Sequence, residues 1–328
     1  MATSVPHEVE NCRNTLRVFS DGSIVRSTQP SFNVPVHDDG TVVWKDVEFD
    51  PTHRLSLRLY KPAPSPQSAG AAPKLPIFYY FHGGGFCIGS RAWPTCQNYC
   101  LHLARELRAV VVAPDYRLAP EDRLPAALHD AFAAVEWLRE QAAAEEPDAW
   151  LDGVADYGRV FISGDSAGGN IAHYLAVRLG AGSPAVTPVR VRGYVYLAPF
   201  FGGTVRTKSE EMSPKDAFFP LDLNDRFWRL SLPEGENTDH LISNPFGLGS
   251  PSLERVELDP ILVVVGTADL LRDRAKEYAL KLQGWGKRVQ FAEFAEQQHG
   301  FFTIDPFSPV SNELMRLIKR FMAENSES

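Results

Sequence analysis

The sequence predicts an α/β protein: a mainly parallel, doubly wound sheet with helices on both faces. Three observations carry that expectation. Runs such as Ile77-Phe78-Tyr79-Tyr80-Phe81 and Ile261-Leu262-Val263-Val264-Val265 are continuously apolar, as strands buried on both faces must be. Between such runs lie stretches with apolar residues at helical spacing, so strand and helix alternate along most of the chain. Finally, Arg159-Val160-Phe161-Ile162-Ser163 passes through Gly164-Asp165-Ser166-Ala167-Gly168-Gly169 straight into the helix-forming Asn170 to Leu179, which Gly180 stops.

In chain order, Val9, Cys12, Leu16 and Phe19 stand at roughly helical spacing and predict a short N-terminal helix. The turn signals Asp21-Gly22 and Asp38-Asp39-Gly40 bracket extended segments at Ile24 to Arg26 and Thr41 to Phe49, and Leu55 to Tyr60 alternates with period two. These early strands are expected to be antiparallel. Pro62 to Pro76 is rich in Pro, Ala and Ser and reads as a surface loop. Helices are expected over Thr95 to Leu107, Asp130 to Gln141 and Asn312 to Met322. Strands are expected at Ala109 to Ala113 and Val191 to Leu197, and an extended segment at Arg288 to Phe294.

One interval breaks the alternation. About sixty residues separate Pro199 from Ile261, far more than a usual connection of about 2–6 residues, so this stretch must carry structure of its own. We expect a single domain over 1–328, in which a helical cap insertion at about 203–256 and an N-terminal cap segment at about 1–22 roof the C-terminal edge of the sheet. Phe218, Phe219, Phe227 and Trp228 of the insertion, with Phe86 and Asp165, are the candidate substrate-pocket residues.

Composition excludes several functions. Lys and Arg number 33 against 41 Asp and Glu, a net charge of −8, with no basic stripe to follow a phosphate backbone. No nucleic-acid partner is expected. No apolar run approaches the ~20 residues of a membrane helix, and the first residues lack the basic and apolar regions of a secretory signal. A soluble protein of the cytoplasm, with the nucleus as a second compartment, follows as the expectation. Cys12, Cys87, Cys96 and Cys100 are few for the length and read as reduced thiols. Cys96 and Cys100 lack the nearby His or Cys pair of a zinc site, so neither metal nor cofactor is expected.

The Gly164 to Gly168 segment matches G-x-S-x-G, a turn sharp enough to lift the Ser166 hydroxyl clear of the sheet edge. Ala167 opens the following helix, so its N–H points outward and can stabilise an oxyanion. A serine needs a base and a group that orients the base. His173 sits about 10 Å up the helix from Ser166, at ~1.5 Å per residue, and cannot easily reach it. His240 falls in the insertion. His299 follows an extended segment and precedes the last helix, where a loop at the active edge belongs, and is the expected base. Asp269, just beyond the strand ending at Val265, is the expected orienter in preference to Asp273, which reads as a helix residue beside Arg272 and Arg274. The order Ser166, Asp269, His299 suits such a fold. In His82-Gly83-Gly84-Gly85-Phe86, side-chain-free Gly83, Gly84 and Gly85 can bring backbone N–H groups to the same oxyanion. A phosphate cradle would need Lys-Ser/Thr or dinucleotide glycine spacing, and neither is present.

The combination of His82-Gly83-Gly84-Gly85-Phe86, Asp115-Tyr116-Arg117-Leu118-Ala119-Pro120-Glu121 and Gly164-Asp165-Ser166-Ala167-Gly168-Gly169-Asn170 resembles the plant carboxylesterases of the hormone-sensitive-lipase family, relatives of the gibberellin receptors. The likeness runs from about Cys12 to Met322. It implies an α/β-hydrolase fold with an N-terminal cap segment, oxyanion donors within Gly83 to Gly85 plus Ala167, and the triad read above. Tyr60-Lys61-Pro62, Gly89 to Pro94, Pro188 to Tyr194 and Phe227 to Pro233 look like the carboxylesterase-15 subgroup, which implies hydrolysis of strigolactones, small apolar lactone esters. The competing reading is a hormone-binding, receptor-like protein with little or no turnover. The related receptors lack the catalytic histidine, whereas this sequence has His299.

Overall fold

The computed structural model describes residues 5–27, 29–30, 34–64 and 73–326. Strands are β1 (Glu8–Cys12), β2 (Leu16–Phe19), β3 (Ile24–Arg26), β4 (Val42–Asp50), β5 (Leu55–Pro62), β6 (Leu75–Phe81), β7 (Val110–Pro114), β8 (Ala155–Asp165), β9 (Val191–Leu197), β10 (Ile261–Gly266) and β11 (Val289–Phe294). Helices are α1 (Pro94–Leu107), α2 (Ala126–Ala143), α3 (Ala167–Leu179), α4 (Lys208–Glu211), α5 (Leu221–Ser231), α6 (Arg272–Gly284), α7 (Phe301–Ile304) and α8 (Pro309–Asn325). Eight strands form one sheet in the order β4-β5-β7-β6-β8-β9-β10-β11. Only the β4/β5 and β5/β7 pairings are antiparallel, and every later pairing is parallel.

The expected alternation is present because the strand residues point both ways into apolar layers. On β6, Ile77, Tyr79 and Phe81 join a cluster with α2 and α3, while Phe78 and Tyr80 join the opposite cluster with α1 and α8. Parallel strands in this register align β6, β8, β9 and β10 so that their C-terminal ends open on one edge. The turns that carry chemistry leave from that edge.

The N-terminal helix is not formed. Residues 8–26 instead make a separate three-stranded antiparallel sheet, β1-β2-β3. Cys12 and Leu16, both buried, are paired across the first turn of this sheet. Residues four apart are neighbours on a helix face and equally across a three-residue hairpin loop, so the apolar spacing fits either form. The turn decides, because Arg13 and Asn14 both adopt left-handed backbone and Thr15 N–H closes back on the Cys12 carbonyl at 3.0 Å. The expected loop between Pro62 and Pro76 joins β5 to β6; its middle, 65–72, lies outside the described residues, as do 1–4 of the N-terminal segment. All four cysteines are buried free thiols. Among the described residues no helix is long and apolar enough to cross a membrane.

Candidate active site

Ser166 sits where β8 turns into α3, with φ 53° and ψ −116°, a strained conformation for a residue with a side chain. The strain is held from several directions. Ser166 N–H donates to the Leu197 carbonyl at 2.9 Å, and the Ser166 carbonyl accepts from Phe200 at 2.8 Å and Asn170 at 3.1 Å. Gly168 is required by close approach, since a Cβ there would overlap the Phe81 carbonyl at the end of the neighbouring strand.

His299 follows β11 and Asp269 follows β10, and these neighbouring strands bring the two together. Asp269 Oδ2 lies 2.7 Å from His299 Nδ1, and both residues are buried. The other Asp269 oxygen accepts Leu271 N–H at 2.9 Å, so the carboxylate is fixed at both ends. Asp273 faces elsewhere: it accepts Ser209 N–H at 2.8 Å and pairs with Arg272 at 2.8 Å. His173 is turned away from the cavity toward Tyr278, its Nδ1 2.9 Å from the phenol oxygen, and burial pushes its pKa down to about 3.

The His82-Gly83-Gly84-Gly85 loop leaves the end of β6. Tyr116 stacks on the His82 ring at 4.4 Å between centroids and donates to the His82 carbonyl at 2.8 Å, which pins the loop's start. Gly84, at φ 121°, packs where any Cβ would strike the Ile88 carbonyl. Among the described residues, no backbone carbonyl accepts the N–H of Gly84 or Gly85, and that of Ala167 is left over as the first of α3. Asp165 lies partly exposed on the cavity wall. Loss of water around it raises its carboxyl pKa, while the Tyr80 hydroxyl, donating at 2.6 Å, His299, His82 and the Gly83 N–H each favour its charged form. Gly83 is thus engaged with Asp165, and Gly84 and Gly85 are the donors left free.

One cavity collects these parts. Its wall includes Ser166, His299, Asp165 and Gly83 to Gly85, and the insertion supplies Phe218, Phe219, Leu223 and Phe227. The Phe219 ring stands 4.6 Å from the His299 ring. Two expected pocket residues are elsewhere. Trp228 stacks on Phe200 at 4.0 Å and nearly parallel, and Phe86 packs against both, so the pair form a buried floor behind the cavity. On α5 one residue is a 100° rotation, so when Leu223 and Phe227 face the cavity Trp228 turns toward the core. The sequence reading missed Leu223, Tyr80, Trp93 and Arg13, all of which line the cavity. Leu223 is one helical turn before Phe227, a signal that was available; Arg13 arrives from the hairpin, which no helical spacing places there.

Comparisons with known proteins bear on the fold and the family. Residues 78–303 match the model of the alpha/beta hydrolase fold family. The chain belongs to that family. It is 35% identical to probable carboxylesterase 6 of Arabidopsis thaliana over 82% of this chain and 78% of that protein. It is 32% identical to tuliposide A-converting enzyme b1, amyloplastic, of Tulipa gesneriana over 98% of this chain and 81% of that protein. Among solved structures, an esterase from Pyrobaculum calidifontis superposes with a TM-score of 0.72 at 27% identity, covering 90% of this chain and 88% of that one. The sheet order and crossovers described above are those of an α/β-hydrolase fold, and the chain stands among carboxylic ester hydrolases.

Proposed function

We propose that this carboxylic ester hydrolase works through Ser166, His299 and Asp269, and that its substrate is an apolar ester or lactone of the strigolactone type. The observation that carries the chemistry is the 2.7 Å contact between Asp269 and His299 Nδ1 on the wall of the cavity that Ser166 also lines. With Nδ1–H held by the carboxylate, Nε2 has the lone pair needed to take the Ser166 proton. The Ser166 oxygen bonds to the ester carbon, and the carbonyl electrons move onto oxygen, where the N–H groups of Gly84, Gly85 and Ala167 stabilise the charge. Collapse breaks the C–O bond, and Nε2–H protonates the departing alcohol. Water, deprotonated by the same nitrogen, then attacks the acyl-serine and returns Ser166.

The N-terminal segment about 1–22 and the insertion about 203–256 act as the cap, giving aromatic walls suited to a substrate of low charge. Resemblance to the carboxylesterase-15 subgroup supports the strigolactone choice. A pocket that only holds hormone would not need the His299 and Asp269 pairing. The test incubates purified protein with a strigolactone, with tuliposide A as a parallel substrate because the tulip relative is named for converting it. Mass spectrometry follows both products, with Ser166→Ala as the control. Strigolactone cleavage above that control is expected; none, with aryl esters still cleaved, removes the hormone and keeps the esterase. We place the protein in the cytoplasm and nucleus, and plastid fluorescence of a tagged full chain would overturn that placement.

A further inference from the structure

Arg13 is the single Lys or Arg among the described residues that line the cavity. It stands at the tip of the β1–β2 hairpin, its guanidinium 4.3 Å over the Phe218 ring and one N–H donated to the Phe218 carbonyl. Five donors in a planar fork leave capacity unused. Burial lowers its pKa from the ordinary arginine value, and Cys12, itself held neutral by a pKa pushed up to about 11, is its one titratable neighbour of note. Among the described residues no carboxylate pairs with this half-buried guanidinium, so its remaining N–H groups are open to an oxygen of a ligand in the cavity.

The hairpin tip is also held in a defined shape. Arg13 and Asn14, with φ of 55° and 56°, are the two central residues of the turn that Thr15 N–H closes on the Cys12 carbonyl, the positive φ that a tight hairpin turn requires. Outside contacts hold it there: Glu10 pairs with Arg226 at 3.0 Å and Arg229 at 2.7 Å on α5, and the Asn11 side chain accepts Asn14 N–H at 2.7 Å. The turn and these contacts together hold Arg13 on the cavity wall. The Asp165 carboxyl on the same wall disfavours a second anion, so the fitting ligand is a neutral acceptor.

We propose that Arg13 is a specificity-determining residue that binds a carbonyl oxygen of the substrate remote from the ester attacked by Ser166. This rests on reading the cavity as the ester site. The experiment compares p-nitrophenyl esters of straight-chain acids with those of the corresponding acids bearing a methyl ketone near the far end, at three chain lengths. The readout is the ratio of kcat/KM, keto over alkyl, taken within each protein so that any general loss of activity cancels. Wild type should favour the keto ester by about tenfold or more at the length that spans the cavity. In Arg13→Met the ratio should fall to about one, and Arg13→Lys should keep part of it. A wild-type ratio near one at every length, or an unchanged ratio in Arg13→Met, overturns the inference while esters are still cleaved. No cleavage of any ester by wild type would overturn the ester site itself and this inference with it.

Discussion

Asp269→Asn and Asp273→Asn should differ by orders of magnitude although both replace one carboxylate oxygen by an amide. Asparagine at 269 can keep the oxygen that accepts Leu271 N–H at 2.9 Å, so the side chain stays in place and its amide nitrogen faces His299 Nδ1, 2.7 Å away. Two donors cannot face each other, so Nδ1 becomes the acceptor and the ring proton moves to Nε2, which then cannot take the Ser166 proton. A wrong tautomer in such a triad lowers kcat by about 10⁴, which at ~1.36 kcal/mol per decade is about 5 kcal/mol of barrier. At 273 the carboxylate pairs with Arg272 in a partly exposed setting, side chains 26% and 32% accessible, and accepts Ser209 N–H. Exposed pairs are worth about 0–1 kcal/mol, so Asp273→Asn should change kcat by no more than about threefold. Background-subtracted hydrolysis of p-nitrophenyl acetate, with circular dichroism to verify folding, gives both numbers. Reversed ranking in folded variants, or Asp269→Asn retaining more than about a hundredth of wild-type kcat, would refute the assignment.

His173 makes the fold acid-sensitive. Its native pKa of about 3 lies below the ordinary 6.5, so the unfolded chain binds the proton first; its contribution is complete above 6.5 and lost as pH falls toward 3. At pH 5 that loss is about 2 kcal/mol, and urea midpoints at pH 7 and 5 should show a smaller fall in His173→Gln. Arg274→Met should cost about 3–5 kcal/mol in the same assay by stranding buried Glu210, whose Oε1 lies 2.5 Å from Arg274 Nε, and Glu210→Gln added to it should recover part. Glu10→Gln should loosen the hairpin on α5 and raise KM for a bulky aryl ester more than for the acetate; equal changes would give the hairpin a purely structural role.

What the sequence made legible was local. Glycines around Ser166 and the ends of apolar strands located the elbow, His299 and Asp269, because turn geometry and strand burial are written in adjacent residues. Orientation around α5 and the hairpin was not local. Trp228 and Phe227 are adjacent aromatics, and only the depth at which α5 packs on Phe200 turns one to the core and the other to the cavity. Arg13 was out of reach for the same reason: Cys12 and Leu16 fit two backbones, and contacts with Arg226 and Arg229, more than two hundred residues away, seat the hairpin that carries it.

The three-stranded sheet that presents Arg13 shares no strand pairing with the eight-stranded one among the described residues, and it precedes the segment 78–303 that defines the family. Ser166, Asp269 and His299 all fall inside that segment. On the reading proposed above, the arginine that recognises the substrate and the residues that cut it lie on separate pieces of chain, and the hairpin meets the rest at two arginines of α5. A change confined to the hairpin tip would leave every residue of the eight-stranded sheet in place, while Cys12 and Leu16 beside the tip stay packed in the main core.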